Sequence, residues 1–102
     1  MNTLLRSDEF DAWLAGLKDA VGRARILARL RAAEAGNVGD CQPVGEDVSE
    51  MRIHTGPGYR LYYMQYRSVV YLLSSGGDKS TQKRDIKRAI RMAQTVREEG
   101  LS

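Results

Sequence analysis

Five side chains suited to gripping or cleaving a phosphodiester alternate along two neighbouring segments. Glu50, Arg52 and His54 are two residues apart, and so are Arg60 and Tyr62. Since successive side chains of a β-strand point to opposite sides, each set shares one face of its strand. Guanidinium groups stabilise charge on phosphate oxygens. Glu50 or His54 can take the proton of a ribose 2′-hydroxyl, and the ring of Tyr62 can stack on a base.

The bend between the two segments sets which of these side chains meet. Gly-Pro-Gly at residues 56–58 is typical of a tight turn. A symmetric three-residue loop predicts that His54 lies opposite Arg60 and Arg52 opposite Tyr62. A slip of one residue would scatter the set over both faces. The same arithmetic predicts an apolar core on the other face, formed by Met51, Ile53, Leu61 and Tyr63.

A second interpretation of the polar face requires no chemistry. The outer side of a sheet is commonly solvated, and Glu50 would then neutralise Arg52 at the surface. A lone histidine such as His54 more often forms an ordinary hydrogen bond than takes part in a reaction. The chemical interpretation therefore depends on the whole group and not on any one member.

A run of cations follows in the last predicted helix. It is opposed by a single acid, Asp85, and its members are Lys83, Arg84, Lys87, Arg88 and Arg91. A solvated helix face is the ordinary meaning of such a run. Unopposed like charges at i, i+4 slightly destabilise a helix, however, so a polyanion such as RNA, or an acidic protein segment, would explain them. Arg25 and Arg29 of the second helix are expected to extend the same surface.

The glycine-rich loop before this helix offers backbone N–H groups to an anion. It resembles the end of a phosphate-binding P-loop but lacks the GxxxxGK[ST] spacing, which excludes a nucleotide-hydrolysing site of that kind. Lys79 is a candidate for the site if the loop folds over the polar face of the sheet.

Local signals predict an α+β fold that carries these groups. Ser7 and Asp19 are typical N-caps for two helices that form an N-terminal hairpin. The apolar stripe of the second helix is expected to contain Val21, Ala24, Leu27 and Ala28, with Ile26, Leu30 and Ala33 beside it. Residues 38–48 form a loop or an irregular strand. An edge strand is predicted at Thr3–Arg6. A small twisted antiparallel meander follows, with strands at Glu50–Thr55, Tyr59–Tyr66 and Val69–Ser74. A basic C-terminal helix begins after Ser80 or Thr81, and its predicted core stripe consists of Ile86, Ala89, Ile90, Ala93 and Val96.

Length and composition restrict the class of protein. The 102 residues suit one domain, residues 1–102, and the net charge is +3, with twelve arginines among the sixteen cations. A GC-rich genome would also enrich arginine, so the positions of the arginines, and not their number, must show whether they have a function. One cysteine, Cys41, forms no internal disulfide, and no apolar run is long enough to span a membrane. We expect a cytoplasmic protein without a cofactor, and without a metal, since one histidine and one cysteine do not form a zinc site.

Three strings together resemble a known superfamily. They are VSEMRI at residues 48–53, GPGYRLYY at 56–63 and LLSSGGDKSTQ at 72–82, the last followed by Asp85, Ile86 and Ala89. With the order helix, helix, meander, helix, they resemble the RelE/ParE superfamily of bacterial toxins over about Leu4 to Val96. The resemblance is strongest to the HigB-like branch of addiction module killer proteins.

The resemblance implies the toxin of a type II toxin–antitoxin pair. Many members are ribosome-dependent endoribonucleases that cut mRNA without a metal, by 2′-hydroxyl attack that leaves a 2′,3′-cyclic phosphate. Their partner is an antitoxin, in this branch often a small helix-turn-helix DNA-binding protein that covers the basic face of the toxin. The expected partners are therefore mRNA, the ribosome and a cognate antitoxin, and not a membrane.

By motif position, Arg60 matches the strand arginine that contacts the scissile phosphate in RelE-like nucleases. Glu50 and Arg52 lie on the strand that supplies acid or basic site residues, and Lys79 lies where other branches carry a late catalytic residue. This sequence has no histidine near Lys79, which leaves the general base unassigned. Two alternatives stay open: a ParE-like inhibitor of DNA gyrase that cleaves nothing, and a plain nucleic-acid-binding module.

Overall fold

The computed structural model of the chain describes residues 1–76 and 79–100. Within those residues, three helices cover the two sides of one five-stranded sheet. In chain order the elements are β1 (Thr3–Arg6), α1 (Asp8–Gly16), α2 (Ala20–Glu34), β2 (Cys41–Gly45), β3 (Val48–Ile53), β4 (Tyr59–Tyr66), β5 (Val69–Gly76), a single 3-10 turn (Lys79–Thr81) and α3 (Gln82–Glu99). The α+β class is confirmed.

The sheet has the strand order β1-β5-β4-β3-β2. The meander of β3, β4 and β5 is antiparallel, as predicted, and β2 extends it at one edge. The predicted edge strand β1 lies at the other edge and runs parallel to β5, a direction that the sequence pattern does not specify, so the sheet is mixed. Thr3 N donates to Ser68 O at 2.6 Å and Ser7 N donates to Leu72 O at 2.9 Å, so β1 follows β5 in the same direction before the chain turns into α1.

Two side chains begin the helical hairpin as the sequence predicts. Ser7 Oγ accepts from Phe10 N at 3.0 Å and donates to Leu73 O at 2.6 Å, which ties the start of α1 to β5. Asp19 Oδ1 accepts from Gly22 N at 3.0 Å and caps α2. Both caps satisfy N–H groups that a helix leaves without a partner in its first turn.

The hairpin packs on the face of the sheet that carries Met51, Ile53, Leu61 and Tyr63, which confirms that core face. The predicted stripe of α2 is wrong, because Val21 is 63% exposed and the helix instead buries Gly22, Ile26, Leu30 and Ala33. The missing side chain of Gly22 explains this orientation. A Cβ there would lie 2.6 Å from the ring of Tyr59, so a side chain at this position would prevent α2 from packing as closely on the sheet.

Helix α3 packs on the other face of the sheet. Ala89 and Ala93 are buried against Val48, Tyr62, Met64 and Leu73, and Ile86, Ile90 and Val96 pack beside them, as the stripe predicts. Since α2 and α3 lie on opposite faces, the expectation that Arg25 and Arg29 extend the basic surface of α3 is wrong. No helix in the described ranges is long and apolar enough to cross a membrane.

The β3–β4 connection is longer than the predicted three-residue loop. It comprises residues 54–58, and Gly58 N donates to Thr55 O at 3.0 Å within it. Gly56 and Gly58 have φ of +56° and +81°, a conformation that glycine adopts without strain. The longer connection moves the register by two residues, so the predicted pairs are wrong while each side chain keeps its face.

Candidate active site at the β3–β4 hairpin

A buried carboxylate lies at the centre of the polar group. Glu50 is fully buried, and its Oε1 accepts from Arg52 Nε at 3.0 Å. Its Oε2 accepts from Gln82 Nε2 at 2.9 Å and from the Tyr62 hydroxyl at 3.2 Å. Arg60 Nε lies 3.6 Å from the same oxygen. Four side chains from β3, β4 and α3 thus converge on one acid, and we call Glu50, Arg52, Arg60, Tyr62 and Gln82 the Glu50 cluster.

The observed register produces this convergence. Glu50 pairs with Tyr62, and Arg52 pairs with Arg60, across β3 and β4. The structure therefore brings together four of the residues that the alternation selected, although in pairs different from those expected. Directly opposed residues have Cβ atoms about 5 Å apart, close enough for one carboxylate to reach donors on both strands.

Gln82 is the member that sequence reasoning missed. It is the first residue of α3 and lies four residues before Ile86, so it continues the buried stripe of that helix by one turn. Its i, i+4 spacing from Ile86 was the sequence feature that could have identified Gln82 as a half-buried residue. The polar character of glutamine concealed it, because an amide at a helix start is usually solvated.

The cluster keeps Glu50 ionised. Burial raises the pKa of its carboxyl group, but hydrogen bonds from Gln82, Arg52 and Tyr62 and the charge of Arg60 outweigh burial and bring the pKa below its usual value. A carboxylate with a lowered pKa and both oxygens occupied is a weak proton acceptor. Its position therefore favours an anionic support for the two arginines over the general base that the sequence allowed.

Tyr62 does not offer its ring to a base in this structure. It is fully buried under α3, and its hydroxyl donates to Glu50. Burial, together with the neighbouring Glu50 charge, raises the pKa of its phenol, so it remains a neutral donor. The expectation of base stacking is corrected here, because the packing of α3 on this face could not be read from strand alternation.

The two arginines differ in exposure. The side chain of Arg52 is 35% exposed and that of Arg60 is 13% exposed. Arg60 Nε is buried and has no hydrogen-bond partner among the described residues. Both line a small cleft of about 50 Å³ whose other walls are Ile53, His54, Gly58 and Tyr59. Two guanidinium groups share the carboxylate of Glu50 there, so Glu50 alone does not neutralise both of them.

His54 lies outside the Glu50 cluster. It was expected opposite Arg60, but β3 ends at Ile53, so His54 falls in the connection and its side chain is 75% exposed. Its Nε2 lies 2.6 Å from Asp40 Oδ2, and His54 is also one of the residues that line the cleft with Arg52 and Arg60. The hydrogen bond to His54 lowers the pKa of Asp40 below its usual range.

Arg29 fixes the position of Asp40, a role that composition and spacing did not indicate. Its Nη2 donates to Val38 O at 2.9 Å and to Asp40 O at 3.1 Å, and its Nη1 donates to Arg52 O. Arg52 N also donates to Asp40 O at 2.9 Å. The guanidinium thereby ties the segment before β2 to the end of β3 and brings Asp40 beside His54.

The basic face of α3 is exposed, as predicted. Arg88 forms an ion pair with Glu9 of α1, and Asp85 accepts from the Thr81 hydroxyl at 2.7 Å. The other cations of the run have no ion-pair partner in the described part of the chain; they are Lys83, Arg84, Lys87 and Arg91. Lys79 opens the 3-10 turn, and its side chain, like residues 77 and 78, lies outside the described residues.

Comparison by sequence finds one clear relative. An uncharacterized protein of Haemophilus influenzae is 45% identical over 87 residues, which are 85% of this chain and 88% of that protein. No protein-family model matches the chain.

Comparison by structure finds the fold of RelE. A mutant of the Escherichia coli toxin RelE in the free state superposes with a TM-score of 0.68 and 18% identity, over 88% of this chain and 95% of that one. The isolated Escherichia coli RelE toxin gives 0.64 and 18%, over 86% and 98%. A chain of the intact Escherichia coli RelBE toxin–antitoxin complex gives 0.60 and 19%, over 78% and 99%. At these identities the likeness is one of fold.

Proposed function

The chain belongs to one family with the Haemophilus influenzae protein and has the fold of RelE, and from this premise we propose that it is the toxin of a toxin–antitoxin pair. We assign it to the HigB-like branch on the three strings at residues 48–53, 56–63 and 72–82. Its proposed activity is cleavage of mRNA on the ribosome in the cytoplasm, which halts translation and growth.

One observation carries this proposal: Arg52 and Arg60 face each other across two strands and share the buried carboxylate of Glu50. A single buried anion orients both guanidinium groups but neutralises only one of them. The second guanidinium group keeps its positive charge beside the cleft, where a phosphodiester can accept hydrogen bonds from the planar guanidinium groups.

The proposed reaction is transesterification within the RNA. The 2′-oxygen attacks the adjacent phosphorus, the bond to the 5′-oxygen breaks, and a 2′,3′-cyclic phosphate remains. Arg52 and Arg60 stabilise the charge that develops on the non-bridging oxygens, and they are held in place before the substrate arrives. We place Lys79 at the same phosphate, because it follows the strand that ends beside Arg60 in the sheet.

The exposed cations of α3 supply a second, less specific contact. Lys83, Arg84, Lys87 and Arg91 face solvent on one helix, and Arg88 retains partial exposure beside Glu9. Such a run attracts the phosphate backbone without reading its sequence. We propose that this face binds mRNA or ribosomal RNA and directs the strand toward the β3–β4 hairpin.

The proposed protein partner is a cognate antitoxin. The solved RelBE complex, whose toxin has the same fold, supports a partner of this kind. We further propose that the antitoxin is a small helix-turn-helix DNA-binding protein with an acidic segment that covers the basic surface of this chain.

The test compares Arg60→Ala with Arg31→Ala, a matched change at an exposed arginine of α2. Each protein is produced without antitoxin, growth is followed, and mRNA ends are mapped by primer extension. We expect cut transcripts with the parent and with Arg31→Ala, and a cleavage rate about 10²–10³-fold lower with Arg60→Ala. Arg60→Lys retains the positive charge but removes the guanidinium group. It therefore separates the loss of guanidinium hydrogen bonds from a loss of folding.

Two results would contradict the proposal in different ways. Growth arrest with intact mRNA and an early DNA-damage response would indicate a gyrase-directed toxin. Cut transcripts that persist unchanged in Arg60→Ala would leave the activity standing and remove the assigned site.

A further inference from the structure

An imidazole–carboxylate pair lies beside the arginine cleft. His54 Nε2 is 2.6 Å from Asp40 Oδ2, and His54 lines the same cleft as Arg52 and Arg60. Asp40 is itself fixed, since its backbone oxygen accepts from Arg52 N at 2.9 Å and from Arg29 at 3.1 Å. The backbone of Asp40 is therefore tied to the strand that carries Arg52, although His54 lies in a connection and not in a strand.

We propose that His54 is the proton acceptor of the cleavage reaction and that Asp40 is the residue that positions it. This inference rests on the proposed function. An ionised carboxylate only accepts hydrogen bonds, so Nε2 must carry the hydrogen shared with Asp40. The second ring nitrogen, Nδ1, is left with its lone pair available to a substrate hydroxyl.

Charged groups surround the imidazole on two sides. Asp40 is bonded to it, and Arg52 and Arg60 line the cleft with it. Arg25 and Arg29 line the groove on its other side, beside α2. Asp40 therefore holds a negative charge beside the ring, and this charge stabilises the positive charge that the imidazole gains when it accepts the proton.

The step balances as follows. His54 Nδ1 takes the proton of the 2′-hydroxyl while the 2′-oxygen forms its bond to phosphorus. The bond between phosphorus and the 5′-oxygen breaks, and its electron pair leaves with that oxygen. A water molecule protonates the 5′-oxygen, and the imidazolium returns its proton to solvent.

The test measures single-turnover cleavage of a defined mRNA on programmed ribosomes across pH. We expect His54→Ala to lose about 10²–10⁴-fold in rate, and its remaining rate to lack the decline that the parent shows toward acid pH. Asp40→Asn, which keeps a hydrogen bond but not the charge, should lose less and move that decline along the pH axis. Added imidazole should restore part of the activity of His54→Ala. Thr55→Ala, in the same connection, is the control and should match the parent.

The outcomes separate this inference from the proposed function. If the parent cuts mRNA and His54→Ala cuts it equally fast with an unchanged pH profile, the assignment of His54 is overturned and the nuclease stands. If the parent arrests growth and cuts nothing, the proposed function itself fails. Equal affinity of the parent and His54→Ala for a 2′-deoxy substrate would show that the lost rate is not lost binding.

Discussion

Glu50 Oε1 accepts from Arg52 Nε at 3.0 Å, with the acid fully buried and the guanidinium reaching the surface. Removal of the carboxylate leaves the donors of Arg52, Tyr62 and Gln82 around a buried position that no longer holds an acceptor. Breaking a buried pair by removing one partner typically costs about 3–5 kcal/mol.

We expect Glu50→Ala to lower the free energy of unfolding by about 3 kcal/mol or more, and Glu50→Gln by less, since an amide still accepts from two donors. Urea denaturation measures both. Glu34→Ala, at the exposed end of α2, is the matched control and should change the midpoint little. Equal midpoints for Glu50→Ala and the parent would show that the cluster contributes nothing to stability.

The lowered pKa of Glu50 predicts a particular loss of stability in acid. A group whose pKa is lower in the folded state stabilises the fold above its unfolded value, here 4.5, and that contribution disappears as the pH falls through the folded value. The stability gap between the parent and Glu50→Gln should therefore be constant near neutral pH and shrink below about pH 5. Thermal unfolding of both proteins from pH 7 downward measures it. A gap that widens toward acid pH would mean that Glu50 is protonated when folded.

The sequence predicted which side chains share a face of the sheet, because the face depends only on whether a residue is at an odd or an even position along its strand. The register moved by two residues, so Glu50, Arg52, Arg60 and Tyr62 still share one face. The partners could not be predicted, because the length of the β3–β4 connection depends on the Thr55–Gly58 hydrogen bond in that loop and on contacts distant in sequence.

Burial of the polar face was the larger surprise, and its cause is tertiary. The sequence predicts the apolar stripe of α3, but it does not predict the face of the sheet on which that stripe packs. That choice places Gln82 on Glu50 and buries Tyr62. The contact between Asp40 and His54 could not be predicted from the sequence either. It depends on hydrogen bonds from Arg29 to backbone oxygens, which hold the segment before β2 against the end of β3, and no side-chain pattern indicates them.

Ser7 joins a local signal to a long-range contact. Its hydroxyl accepts from Phe10 N and donates to Leu73 O, so it both caps α1 and ties it to β5. Ser7→Ala removes the acceptor of Phe10 N and the hydroxyl that donates to Leu73 O. We expect a loss of about 1–2 kcal/mol in unfolding free energy, measured by urea denaturation. Ser68→Ala, in the exposed β4–β5 turn, should be neutral, and an equal loss there would refute the capping argument.

The basic face of α3 predicts a salt dependence that distinguishes an RNA surface from a merely solvated helix. Lys87 is exposed and has no ion-pair partner in the described residues, and so is suited to a phosphate contact. Each contact with single-stranded nucleic acid contributes about 0.7 to the slope of log affinity against log salt.

Binding of a 2′-deoxy oligonucleotide, which cannot be cleaved, is measured for the parent, Lys87→Ala and the control Lys18→Ala, an exposed lysine between α1 and α2. We expect Lys87→Ala to weaken binding and to reduce the slope by about 0.7, and Lys18→Ala to change neither. Identical slopes for all three proteins would mean that α3 does not contact the phosphate backbone, and the cations would then need another explanation.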